Sequence, residues 1–192
     1  MKIIFLLFYI TIAPLTYGVE LTLENIYKND TFHTKGMGKW KWIPKSNDIL
    51  IYDKAHGDSL KSFHRVEIGT RDTTTFISSE KLVFKDDTFN VSSFSFDKTG
   101  TKLLLLINRS NIWRHSYSGN YFVYDLFSED LIQISDKDSQ LKNVKFSPDG
   151  RKISYVKDDN NLYVFDFLSQ WEKQLTWDGS ETILNGHFGW LY

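Results

Sequence analysis

The chain has 192 residues, 41% of them hydrophobic and 16% aromatic, enough to bury the core of one domain. Lys and Arg number 23 against 24 Asp and Glu, a net charge of −1 with no basic run or stripe, so no nucleic-acid partner is expected. Cysteine is absent, which excludes disulfides, thiol catalysis and thiolate metal sites and leaves stability to core burial and sheet pairing.

The first residues read as an address. Lys2 supplies a positive end, Ile3 to Ala13 form an apolar run too short to span a bilayer comfortably, and Pro14 and Gly18 break it. The expectation is a signal peptide over 1–18 with the mature chain at 19–192, the alternatives being an uncleaved anchor or a buried N-terminal strand. Export follows: periplasmic, secreted or envelope-associated. Three glycosylation sequons, at Asn29, Asn90 and Asn108, matter only in a host that glycosylates secreted proteins. Helix is expected only as a turn or two around Leu23 to Tyr27.

Beyond that point the chain repeats itself. A degenerate first copy runs from Trp40 through Asp48 to Asp53, Phe63 to Gly69 and Thr73 to Ser78. The clearer copies follow: Phe96, Gly100 and Lys102 fall 50 residues before Phe146, Gly150 and Lys152. Next come Tyr121 to Leu126 and Leu162 to Phe167, then Leu131 to Ser135 and Glu172 to Thr176, now 41 residues apart. The difference, nine residues, is an insertion in the earlier copy. It lies within Ile107 to Asn120 and predicts an elongated hairpin connection carrying Arg114.

Each copy reads as four short strands. Tyr121, Val123 and Asp125 alternate with Phe122, Tyr124 and Leu126, both sets largely apolar, as in a sheet covered on both faces. Ser147-Pro148-Asp149-Gly150 suits a tight turn with a left-handed glycine, and Lys157 to Asn161 form the next turn. A four-stranded unit repeating every 40 to 50 residues is the mark of a β-propeller blade. The fold class is therefore all-β, a partial β-propeller of about three four-stranded blades. A ring needs roughly four to eight, so the chain is expected to be a fragment of a larger propeller.

Site chemistry is sparse. No G-x-S-x-G elbow occurs among the eleven glycines, so no catalytic residue is assigned. His33, His56, His64, His115 and His187 lack metal-ligand spacing and are expected at the surface or in packing. Asp136, Asp138 and Gln140 mimic the start of a calcium loop, but Leu141 stands where glycine is needed, so no metal is expected. No cofactor is expected either. A sialidase-type Asp-box is disfavoured, because Ser147 to Gly150 is one residue short. From position alone Arg114 is more simply a solvated or stacked side chain than a ligand-binding one.

The run Trp113-Arg114-His115-Ser116-Tyr117, followed by Tyr124-Asp125-Leu126, the Ser-Pro-Asp-Gly turn and Glu181 to Tyr192, resembles the N-terminal propeller of the dipeptidyl peptidase IV family of serine exopeptidases. The resemblance implies an eight-bladed propeller over an α/β-hydrolase domain, the latter absent from this chain. It implies a peptide N-terminus as partner, with Arg114 binding a substrate carbonyl oxygen, and it allows a homodimer. In that family a glutamate pair follows a motif to which Gly189-Trp190-Leu191-Tyr192 corresponds, with Gly189 in place of the usual aspartate and neither glutamate present. On this reading the chain alone should be inactive. The alternative is a non-enzymatic TolB-like or WD40-like scaffold for protein binding.

Overall fold

The structure is a computed structural model describing residues 18–29, 31–32, 36, 38–55, 57–85, 87–88, 90–134 and 139–187. Met1 to Tyr17 of the expected signal peptide, His33, His56, Asp136, Asp138 and Gly189 to Tyr192 lie outside the described residues. The chain divides into two units, Met1–Gly36 and Met37–Tyr192. In the first, helix α1 (Leu23–Tyr27) is the expected short turn. Thr22 caps it by accepting from Asn25 N at 3.1 Å, and Lys28 pairs with Glu24 at 2.9 Å.

The second unit is built of strands. Strands β1 (Lys39–Trp42), β2 (Ile49–Asp53), β3 (Ser62–Val66) and β4 (Thr73–Ile77) form an antiparallel sheet in chain order, the first blade. A 3-10 turn (Ser79–Lys81) and a small hairpin, β5 (Val83–Phe84) with β6 (Asp87–Thr88), lead onward. The second blade is β7 (Ser93–Phe96), β8 (Lys102–Asn111), β9 (Tyr117–Asp125) and β10 (Leu131–Gln133). The third is β11 (Leu141–Phe146), β12 (Lys152–Val156), β13 (Leu162–Asp166) and β14 (Trp171–Gln174).

The doubly apolar run of the middle copy now has its reason. Leu103, Leu105 and Ile107 point to one face and join Leu50, Tyr52, Phe63 and Ile77 of the first blade in one core. Leu104 and Leu106 point to the other and join Ile153 and Tyr155 of the third blade in a second. The middle sheet is sandwiched, so alternation along β8 distinguishes two cores rather than core from solvent. Burying each such side chain fully contributes about 1.5–3 kcal/mol.

The turn signature is also a packing device. Gly100 and Gly150 have φ of +78° and +69°, the left-handed region open to glycine. A Cβ on Gly150 would sit 2.6 Å from Asp97 Oδ2, and one on Gly100 3.0 Å from Pro44. Each blade's turn glycine thus abuts the corresponding turn of the blade before it. Asp97, buried, accepts from Thr101 N and Lys102 N at 2.8 Å each, which closes its own turn.

The aspartate that ends the third strand of each clear copy does the same work twice. Asp125 Oδ1 accepts from Phe127 N at 2.9 Å and Ser128 N at 3.2 Å; Asp166 Oδ1 accepts from Leu168 N and Ser169 N at the same two distances. The lysine that opens the preceding strand pairs with each, Lys102 with Asp125 at 3.5 Å and Lys152 with Asp166 at 2.8 Å.

Candidate functional site

The inserted residues do not lengthen a loop. Strands β8 and β9 have ten and nine residues where β12 and β13 have five each, and this accounts for all nine extra positions. The connection Ile112 to Ser116 is as short as Lys157 to Asn161. Arg114 therefore sits at the tip of a projecting two-stranded arm, not on an elongated loop as the spacing predicted. Paired backbone groups hold such an arm more firmly than a loop would be held.

Three local features shape the arm. The β8–β9 register shifts between Ile107 and Ser110, and Asn108 takes a left-handed φ of +50°, so the arm bends at a bulge. Asn108 Nδ2 donates to Asn120 Oδ1 at 3.1 Å, and Asn120 Nδ2 donates to the Ser139 carbonyl at 3.2 Å, tying the bulge to the chain entering the third blade. Arg109 lies 4.2 Å over the Tyr117 ring and donates through Nε to Asn111 Oδ1 at 3.1 Å.

Where the arm meets the third blade, β9 pairs with β11 through Gly119 with Leu141 and Ser118 with Lys142. Gly119 itself faces the bulge of β8: a Cβ there would lie 2.3 Å from Leu106 Cδ1 and 2.8 Å from the Ile107 carbonyl.

At the tip, the turn closes with Ile112 N and Trp113 N both donating to the Ser116 carbonyl, at 2.9 and 3.1 Å. Arg114 and His115 are exposed, and among the described residues the Arg114 guanidinium makes no hydrogen bond, ion pair or ring contact. Trp113 is 55% exposed, so the stacking alternative, with Arg114 held on Trp113, is not what the tip adopts.

Beneath the tip lies a cleft of about 280 Å³, lined chiefly by His115, Tyr117, Tyr121, Lys142, Lys145 and His187. Arg114 stands beside it rather than in its wall. Asn160, with a left-handed φ of +57°, organises the far side: its Oδ1 meets Lys142 Nζ and His187 Nε2 at 3.1 Å each, and its Nδ2 donates to the Ser180 carbonyl at 2.9 Å. Burial pushes the Tyr121 hydroxyl well above its ordinary pKa, with the neighbouring Tyr117 adding to the shift and Arg109 opposing it.

Of the residues singled out in sequence, the structure gathers Arg114, His115 and His187 around this cleft and leaves His64 in the first blade. Lys142, Lys145 and Tyr121 were not legible as site residues. They come from strands of two different blades, and no local pattern connects them. Among the described residues no group of three or more His, Asp or Glu could hold a metal ion.

Antiparallel four-stranded sheets packed face upon face, one of them extended into an arginine-tipped arm, define a partial β-propeller. Residues 97–192 match the family model for the dipeptidyl peptidase IV (DPP IV) N-terminal region, and the chain belongs to that family. It is 26% identical over 179 residues to dipeptidyl peptidase 4 of Felis catus, covering 92% of this chain and 21% of that protein. It is 28% identical over 175 residues to dipeptidyl aminopeptidase B of Saccharomyces cerevisiae, covering 88% of this chain and 20% of that protein. The crystal structure of Porphyromonas gingivalis dipeptidyl peptidase 4 superposes with a TM-score of 0.65 at 22% identity, over 83% of this chain and 22% of that one. The chain thus spans about a fifth of the length of the relatives it matches.

Proposed function

We propose that this chain supplies a substrate-binding part of the propeller of an exported serine dipeptidyl peptidase, in which Arg114 donates hydrogen bonds to a backbone carbonyl of the bound peptide. The observation that carries the reading is the arm: a firmly paired extension, absent from the next blade, that ends in a guanidinium with no partner among the described residues. A side chain held out on a rigid support has little entropy left to lose on binding, and a guanidinium's fixed fork of donors suits a carbonyl oxygen. Membership of the family supports a peptide as ligand. Gating of access to a catalytic centre is the role such an arm would serve.

Cleavage itself needs a nucleophile that this sequence does not supply, and on the family resemblance an α/β-hydrolase domain provides it. Export rests on the N-terminal apolar run. No helix among the described residues is long and apolar enough to cross a membrane.

Calorimetric titration of the chain with a dipeptide amide such as Ala-Pro-amide, which carries no carboxylate, tests the reading. Arg114→Ala should weaken binding about tenfold, the effect of losing a charge-assisted hydrogen bond. Arg151→Ala, which removes another exposed arginine in a blade turn, should not. Equal binding by all three proteins would favour the non-enzymatic scaffold instead.

A further inference from the structure

The cleft beneath the arm has a chemical bias that carbonyl binding by Arg114 does not use. Two lysines and two histidines line it, and no carboxylate does among the described residues. Lys142 is committed to Asn160 Oδ1. Lys145 is not: its ammonium has no hydrogen bond or ion pair among the described residues, although its backbone carbonyl accepts from Ser154. A narrower groove of about 170 Å³ shares Tyr117, Tyr121 and Lys145 and continues toward Lys41, whose ammonium is likewise unpaired.

Tyr121 supplies the second, independent observation. The residue is only 4% exposed, it lines both spaces, and its hydroxyl has no partner among the described residues. That hydroxyl is not sealed off: among the described residues the one fully buried side-chain polar atom without a partner is His64 Nε2, so the Tyr121 hydroxyl opens to the cleft. Held protonated by its burial, this phenol can donate to an acceptor placed in the cleft.

We propose that the cleft is a carboxylate subsite, in which Lys145 Nζ and Tyr121 Oη hold an acidic group of a bound peptide. The proposal rests on the reading of the arm above as peptide-binding. One ammonium and one phenol present two donors, which matches the two oxygens of a carboxylate, and its negative charge offsets part of the positive charge of the two lysines. The volume suits a side chain or a chain end rather than a folded partner. An Asp or Glu side chain and a peptide C-terminus share this chemistry.

Titration of the intact chain with three tripeptides separates the sources: Ala-Gln-Ala-amide, Ala-Glu-Ala-amide, and Ala-Gln-Ala with a free C-terminus. One of the two carboxylate peptides should bind about tenfold tighter than Ala-Gln-Ala-amide, which has no carboxylate, and which one it is identifies the source. Lys145→Gln, an exposed position on β11, and Tyr121→Phe, which removes only the hydroxyl, should each reduce that preference severalfold. Three peptides bound equally, none bound, or a preference that survives Lys145→Gln would overturn the subsite. Arg114→Ala keeps the two readings apart. If it leaves all three affinities unchanged while Lys145→Gln erases the preference, the arm reading fails and the subsite stands; if it weakens all three with no preference ever seen, the subsite fails alone.

Discussion

Single residues decide how this chain holds its shape, and Gly119 is the sharpest case. Its φ is ordinary, so the demand is one of space: a methyl group would collide with Leu106 and with the Ile107 carbonyl of the neighbouring strand β8, beside its bulge. Gly119→Ala should lower unfolding free energy by about 1–3 kcal/mol, the usual cost of overpacking, read from a urea melt at unchanged m-value. No sequence pattern announces this glycine, whereas Gly100 and Gly150 were legible from the turns around them. A turn is a local motif; a close approach at a bulge between paired strands is visible only once the register is known.

Asp166 makes a second prediction at this scale. The hydrogen bond from the Lys152 ammonium, with those from Ser169 N and Leu168 N, pulls its carboxyl down to about 2. At Asp125 burial pushes the other way, but the Phe127 and Ser128 amides and Lys102 outweigh it, and its pKa is also lowered. A carboxyl whose folded pKa lies below its unfolded value of about 4 adds stability above that pH and loses it as the pH falls through the folded value. Asp166→Asn should therefore be less stable than the parent at pH 7, with the gap narrowing between about pH 4 and pH 2. A gap that stays constant across that window, in thermal melts, would show that the ion pair and turn cap contribute nothing through ionisation.

At the scale of elements, the repeat spacing correctly predicted the number of strands per blade, their order and their approximate bounds. It misplaced the nine inserted residues, because a length difference between two copies does not say whether strands or the turn between them absorb it. The bulge at Asn108 and the clasp from Asn108 through Asn120 to Ser139 are what turn the extra length into an arm. Asn120→Ala removes both clasp contacts and should loosen the arm. Amide exchange of Ile112, Trp113 and Ser116 should speed up severalfold while that of the β12 and β13 amides stays the same. Uniform acceleration in all these strands would mean that Asn120 supports the whole sheet rather than the arm.

At the scale of the molecule, the first blade presents an exposed aromatic face that the repeat pattern did not announce. Trp40 and Trp42 lie on the side of the first blade opposite Leu50 and Phe63, 41% and 57% exposed, with ring centroids 6.1 Å apart. An apolar patch of this kind favours association. Sedimentation of the chain should show average mass rising with concentration, and the double change Trp40→Lys, Trp42→Lys should suppress the rise without altering the far-ultraviolet spectrum. A chain that stays monomeric throughout would show that the face is passive in solution.

The claim on which the account turns is that the arm exists to bring Arg114 to a peptide. Its most direct test is kcat/KM for release of an N-terminal dipeptide from an X-Pro chromogenic substrate, with this propeller segment joined to an α/β-hydrolase domain of its family. Arg114→Ala should lower kcat/KM roughly ten- to a hundredfold, about 1.5–3 kcal/mol of transition-state binding, at unchanged melting temperature, and Arg114→Lys should recover only part of the loss. Parental kcat/KM in Arg114→Ala would contradict the account, since the arm would then project an arginine that no substrate meets.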